Sequence, residues 1–358
     1  MAVNFWQSRR VFLTGHTGFK GSWLSLWLLS MGAEVGGYAL EPSTTPSLYR
    51  ALALEKEMPS TIADVRDAEA LERAMRAFRP EVVIHMAAQP LVRYSYDNPI
   101  ETYATNVMGT VHLLNAVRRS PEVHAVVNVT SDKCYENREW VWPYREDEAM
   151  GGYDPYSSSK GCAELVTSAY RRSYFHPDKF VDHNVAIASG RAGNVIGGGD
   201  WAPDRLVPDI IRSYVAGDKA IIRNPSAVRP WQHILEPLSG YLTLAEQLIM
   251  CGPVVSGGWN FGPPEYDARS VSYLSDQITR LWGEGAAWQS PEISGVHEAH
   301  LLNLDSSKAR TILGWRPRWT LDEAATHTVT WYREFYRGGD IRKLSLQQID
   351  TFSSPECS

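Results

Sequence analysis

A short apolar strand running into three spaced glycines limits what this chain can fold into more than any other feature. Val11-Phe12-Leu13-Thr14 reads as a buried strand, and Gly15-His16-Thr17-Gly18-Phe19-Lys20-Gly21 as a tight loop. The apolar run that follows to Met31 reads as a helix, stopped by Gly32. Glycines at 15, 18 and 21 allow a tight turn, close backbone approach to a pyrophosphate, and close packing of helix on strand. The new helix points unpaired N–H groups at whatever sits there, which favours an anion. Such a unit opens a parallel α/β sheet.

The next segments repeat the pattern. Strands are expected at Arg10–Thr14, Glu34–Ala39, Glu81–Met86, Ala125–Thr130 and Asn184–Ser189, and helices at Gly18–Met31, Ala68–Phe78, Ile100–Arg118 and Tyr156–Tyr174. In Ala68–Phe78 the apolar residues Ala68, Leu71, Met75 and Phe78 fall three or four apart, a single buried stripe. Beyond Arg191 the pattern is less regular and richer in Gly, Pro and Trp. The expected fold is a Rossmann-type parallel sheet over residues 1–190, with a returning segment near 231–262. Residues 191–230 and 263–345 form a smaller C-terminal α/β substrate-binding domain, and 346–358 a loose tail. The chain is 44% apolar, enough for a sizeable core.

A formal charge of −6 argues against nucleic acid as the main partner, so an anionic substrate needs a local basic pocket. The longest apolar stretch, around Trp23 to Leu29, reads as too short to span a bilayer, and Met1 to Arg10 does not read as a signal peptide. Cys134, Cys162, Cys251 and Cys357 are scattered without a CxxC pair. Reduced thiols in a cytoplasm are therefore expected, and no metal site.

Two further clusters carry chemistry. Tyr156 and Lys160 stand four apart on one expected helix face near the carboxyl edge of the sheet. A phenol with pKa about 10 is a poor base at neutral pH unless a nearby cation favours its phenolate. Thr130-Ser131-Asp132-Lys133 ends the fifth strand and adds an acid and a potential base to a serine hydroxyl. Elimination of water from a sugar needs both, one to take a proton from carbon and one to protonate the departing hydroxyl.

The GxxGxxG spacing, Ala63-Asp64-Val65, His85-Met86-Ala87-Ala88, Asn106 and the Tyr156/Lys160 pair resemble the extended short-chain dehydrogenase/reductases. That resemblance implies a dinucleotide held by Gly15, Thr17, Gly18, Phe19, Gly21, Asp64, Val65, Ala87 and Ala88, with Tyr156 and Lys160 beside its nicotinamide. The second strand ends Tyr38-Ala39-Leu40-Glu41, so the acid for the ribose 2′-OH comes late, at Glu41. No arginine follows to hold a 2′-phosphate, so NAD is expected over NADP.

Ser131-Asp132-Lys133 further resembles the nucleotide-sugar 4,6-dehydratases, which usually carry Asp-Glu where this chain has Asp132-Lys133. With Gln89-Pro90-Leu91-Val92-Arg93, Trp140-Val141-Trp142 and Arg229-Pro230-Trp231-Gln232-His233, it is similar to the branch acting on CDP-glucose. The resemblance implies catalysis by Ser131, Asp132, Lys133, Tyr156 and Lys160, and a nucleotide sugar held by Gln89, Asn194, Arg205, Arg229 and His300. Arg223 and Arg269 are further candidates for its phosphates. It also implies a homodimer or homotetramer built through helices 100–118 and 156–174. A nucleotide-sugar 4-epimerase and a silent NAD-binding sensor are the competing readings; Asp132-Lys133 argues against the first, and the retained Tyr156 and Lys160 against the second.

Overall fold

A computed structural model describes residues 3–283, 285–291 and 302–354. Its centre is a seven-stranded sheet, parallel throughout. The strands are β1 (Arg10–Thr14), β2 (Glu34–Ala39), β3 (Ser60–Ile62), β4 (Val82–His85), β5 (Ala125–Val129), β6 (Ala186–Arg191) and β7 (Gly257–Asn260). They lie in the order β7-β6-β5-β4-β1-β2-β3. The chain winds outward from β1 to β3 and then returns to place β4 on the other side of β1. That reversal opens a crevice at the carboxyl ends of β1 and β4, the place where such sheets bind ligands. Every residue of β4 and β5 is buried, as expected for a parallel sheet covered on both faces.

The helices that matter for the site are α1 (Phe19–Ser30), α2 (Ala68–Phe78), α3 (Gly109–Val117), α4 (Pro155–Ser173), α5 (Leu206–Ala216), α6 (Leu235–Cys251), α7 (Val271–Trp282), α8 (Leu321–Tyr336) and α9 (Ile341–Ser353). β1, β2 and α2 begin and end where the sequence pattern puts them. The expected helix over 100–118 is instead three pieces: Pro99–Tyr103, a wide π turn over Ala104–Met108, and α3. Asn106, inside the wide turn, exchanges hydrogen bonds with both backbone groups of Gln89, and Thr110 Oγ donates to the Asn106 carbonyl. The turn therefore ties this helix to the end of β4, a common use of π turns. β3 and β7 were not among the expected strands. β3 is exposed along its whole length, and β7 opens on two glycines, so neither shows the buried β-branched run that marks a strand.

Contrary to the expectation that every apolar stretch is too short for a bilayer, Leu235–Val255, made of α6 and the turn after it, has the length and hydropathy of a membrane span, and 56% of that apolar stretch is buried in the fold. A helix apolar all round is what a buried position demands. The rest of the C-terminal half includes three two-stranded pairs, α5, and α7 to α9. One pair joins Val195–Ile196 to Gln232–His233, and another sets Val228–Pro230 against Ala268–Ser270.

The loose tail expected from residue 346 does not hold, because α9 runs to Ser353 with Ile349 and Phe352 buried. Phe352 stands edge-on to Trp27 and Trp319 at 5.7 and 5.1 Å, and these rings give the helix an apolar dock. Phe352→Ala is expected to lower unfolding free energy by about 3–5 kcal/mol in denaturant titration, and a loss below about 1 kcal/mol would show α9 to be an appendage.

Candidate active site

The glycine loop closes tightly on the neighbouring strand. Gly15 has φ +77°, and a Cβ there would lie 2.7 Å from the backbone nitrogen of Ala87; one at Gly21 would lie 2.1 Å from the Gly15 carbonyl oxygen. Only glycine fits either place. Thr14 at the end of β1 bonds His85 Nδ1 at 2.6 Å and accepts from the amides of Met86 and Ala87 at 3.1 and 3.2 Å, which fixes the two strand ends together. Burial pushes His85 down to about 3, so the ring is neutral at physiological pH. Gly18 caps α1 without a side-chain hydrogen bond, leaving the first-turn amides directed into the crevice. These features fit the pyrophosphate of a dinucleotide.

At the far end of the crevice Thr17 Oγ donates to the Leu40 carbonyl at 2.8 Å. Asp64 is held by Arg66 at 2.5 Å, which draws its carboxyl below the usual range. Val65 is buried against Gly109, whose Cβ would lie 2.9 Å from it. Glu41 is exposed just past β2 and pairs with Arg50 at 3.2 Å. The sequence reading had no arginine near this acid; a turn and a short helix bring Arg50 back to it.

Ser131, Asp132 and Lys133 leave β5 in a single 3₁₀ turn, capped by Ser131 Oγ, which accepts from the Lys133 amide at 3.2 Å. Asp132 is 1% exposed. Its carboxylate accepts from Ser131 Oγ at 2.8 Å and from Asn194 Nδ2 at 3.2 Å. Gly193 lets the carboxylate sit there, since a Cβ at 193 would fall 2.0 Å from Oδ2. Gln232 Nε2 in turn holds the Gly193 carbonyl at 3.2 Å. Lys133 is partly buried. Among the described residues its ammonium has no hydrogen-bond or ion-pair partner.

Asp154 caps α4 through the Ser157 amide, and Pro155 suits its first turn, so Tyr156 and Lys160 enter the site one turn apart. Burial raises the Tyr156 phenol to about 12; a hydrogen bond with Ser131 opposes this, the Asp132 charge adds to it, and Arg205 opposes it. Arg205 is the nearby cation that opposes this rise. Lys160 Nζ reaches the Val129 carbonyl at 3.5 Å, and burial lowers its pKa to about 8, with Cys134 and Glu164 opposing. As pH rises through about 8 the ammonium loses its proton, so turnover should fall roughly tenfold per pH unit beyond that point if the charge is needed. Lys160→Arg keeps a charge that does not titrate and should flatten this limb; a wild-type profile level to about pH 10 would show that the charge has no role.

The fold thus gathers Ser131, Asp132, Tyr156, Lys160, Asn194 and Arg205. Arg205 precedes α5, is held by Asp200 at 2.8 Å, and lies close enough to Tyr156 for each to shift the other's proton affinity. Other expected contacts lie outside this cluster. The Gln89 side chain donates to Thr102 Oγ at 2.9 Å and accepts from the Leu91 amide, which ties it to the end of β4. Arg223 joins Arg93 on Asp204 at the surface. Arg229 and Arg269 face each other in register across a two-stranded pair, and Arg229 Nη1 donates to the Val228 carbonyl. His300 lies outside the described residues.

Sequence reasoning missed Lys20. Burial lowers its pKa to about 8 together with Arg205 and Lys160, while Asp132 and Asp200 oppose, so its ammonium shares this charge cluster. A cation inside a glycine loop, where apolar packing is the rule, was the available signal.

The comparisons with known proteins follow the same lines. A family model described as GDP-mannose 4,6 dehydratase matches residues 12–328. The CDP-glucose 4,6-dehydratase of Salmonella typhimurium is 58% identical over 351 residues, covering 98% of each chain. The UDP-glucose 4-epimerase of Mycolicibacterium smegmatis is 27% identical, covering 90% of this chain and 98% of its own. Among solved structures, a dTDP-glucose 4,6-dehydratase from Streptomyces venezuelae with NAD and TYD bound gives a TM-score of 0.77 at 23% identity, over 92% of this chain and 98% of that one. One from Bacillus anthracis in complex with NAD gives 0.75 at 20% identity, over 94% and 100%. These two structures speak to the fold, and the sequence matches run from the glycine loop through both clusters at the carboxyl edge of the sheet. The chain belongs to the family described as GDP-mannose 4,6 dehydratase, within the extended short-chain dehydrogenase/reductases.

Proposed function

We propose that this chain is an NAD-dependent hydro-lyase that converts CDP-D-glucose to CDP-4-keto-6-deoxy-D-glucose, an early step in making deoxysugars. The observation that carries the reading is the buried Asp132 carboxyl, set by Ser131 and Asn194 on the Tyr156 side of the crevice. An epimerase needs no acid there. The 58% identity to a CDP-glucose 4,6-dehydratase supports the same chemistry and the cytidine nucleotide.

NAD, when bound in the glycine loop, supplies the acceptor for the C4 hydride and gives it back at C6. Tyr156 takes the proton of the 4-hydroxyl through the bond that Ser131 and Arg205 favour. The new ketone acidifies C5. Lys133 takes the C5 proton as the C6–O bond breaks, and Asp132 protonates the departing hydroxyl, so one water leaves across C5 and C6. Lys133 then returns its proton to C5 as C6 is reduced. As an ammonium, Lys133 instead steadies the developing enolate; Lys133→Ala, followed by exchange of the C5 proton with solvent, tests both roles.

Asn194, Arg205 and Arg229 hold the nucleotide diphosphate in this reading, with Glu41 on the adenosine ribose. Copies pair as a homodimer or homotetramer through the segments over 100–118 and 156–174, which expose Ile100, Met108 and Leu165. Free Cys134, Cys162 and Cys251 suit a reducing cytoplasm. The test is to offer the CDP, dTDP, GDP and UDP esters of glucose and weigh the products. Loss of one water from CDP-glucose in preference to the others is expected; a product of unchanged mass would make the enzyme an epimerase.

A further inference from the structure

Behind the site lies a buried ion pair that the chemistry above does not use. Glu164 stands one turn beyond Lys160 on α4, and its carboxylate pairs with Arg191 at 2.7 Å, the two side chains being 5% and 6% exposed. The other carboxylate oxygen accepts from Thr130 Oγ at 2.5 Å. Arg191 Nη1 donates to the Tyr135 hydroxyl at 2.7 Å and the Glu146 carbonyl at 2.9 Å. Room for the guanidinium comes from Gly258, where a Cβ would lie 2.4 Å from Nη2. The arrangement is costly: both charges are out of water, and Arg191 Nε has no hydrogen-bond partner among the described residues. Buried pairs of this kind stabilise no better than apolar residues of the same volume, so packing alone gives no reason for one here.

Its connections suggest what it is for. Thr130 immediately precedes Ser131 and Asp132. Arg191 closes β6 two residues before Gly193, against which the Asp132 carboxylate rests, and three before Asn194, which bonds it. One carboxylate on the Tyr156/Lys160 helix therefore holds both chain segments that bracket Asp132. We infer that Glu164, through Arg191 and Thr130, is a positioning residue that sets the Asp132 acid against the sugar, governing loss of water separately from oxidation at C4. This rests on the dehydratase reading.

The test separates the two halves of the reaction. Single turnovers of CDP-glucose are quenched with borodeuteride, which traps any 4-keto sugar, and the trapped hexoses are weighed. Assayed below neutral pH, where Lys160 keeps its proton even without the Glu164 charge that now supports it, Glu164→Gln should slow loss of water by about tenfold to a hundredfold, with C4 oxidation little changed, so that trapped sugar still carrying its 6-hydroxyl builds up. Thr130→Val leaves the ion pair intact, which keeps the fold, and should shift the trapped ratio the same way by about threefold to tenfold. Both halves slowed in proportion, or no 6-hydroxylated keto sugar from either variant, would reduce the pair to scaffolding and overturn the inference. Failure of the unaltered chain to dehydrate any of the four nucleotide glucoses would overturn the dehydratase reading and this one together. Normal turnover with unpartitioned variants overturns only this one.

Discussion

Tyr156→Phe should lower turnover by between about 10² and 10⁴, the span usual for loss of a positioned acid–base group. The substitution removes one oxygen and keeps a ring that is 8% exposed, so packing is preserved. What disappears is the phenol that bonds Ser131 within reach of Arg205. Burial pushes that phenol up to about 12, well above neutral pH. Its uptake of the 4-hydroxyl proton depends on neighbours that favour the charged form, Ser131 by its hydrogen bond and Arg205 by its charge. The bound nicotinamide's positive ring adds to them. Affinity for CDP-glucose, measured by calorimetry, should change by less than about 1 kcal/mol, because one neutral hydrogen bond at most is lost. A phenylalanine variant with more than a tenth of normal turnover would remove Tyr156 from the chemistry.

Asp132→Asn should stop loss of water while sparing the first oxidation. An amide keeps the size, but its single oxygen can accept from only one of Ser131 Oγ and Asn194 Nδ2, and it cannot give up a proton to a departing hydroxyl. Overall turnover should fall by between about 10² and 10⁴, and the sugar trapped after one turnover should be a 4-keto hexose that retains its C6 oxygen. Gly193→Ala should give the same product pattern by a different route. Its methyl would occupy the space of the Asp132 carboxylate, 2.0 Å from Oδ2, and so force the acid away from the sugar. If the asparagine variant released deoxysugar at a normal rate, the proton for the leaving group would have to come from elsewhere, and the proposed division of labour would fail.

The chain's own residues announce the core of this fold before any coordinates. Three glycines after an apolar strand, and a buried stripe at helical spacing in Ala68–Phe78, set β1, α1 and α2, because local sterics and periodicity decide such elements within a dozen residues. The Ser131-Asp132-Lys133 and Tyr156/Lys160 clusters are legible for a similar reason: each sits inside one turn or one helix face, so its internal geometry travels with its sequence.

Tertiary structure alone decides how these clusters meet. Asp132 lies 61 residues from Gly193 and 62 from Asn194 in the chain, yet all three form one contact, set by the pairing of β5 with β6. The same pairing brings Thr130 and Arg191 to Glu164, and the loop after Gly198 brings Asp200 and Arg205 beside Tyr156. Other tertiary contacts turn Gln89 inward, widen the helix turn at Asn106, and dock α9 on Trp27 and Trp319. Such contacts depend on which strands lie side by side and how much water they exclude. Spacing along a single sequence records local turns and faces, and carries no term for either.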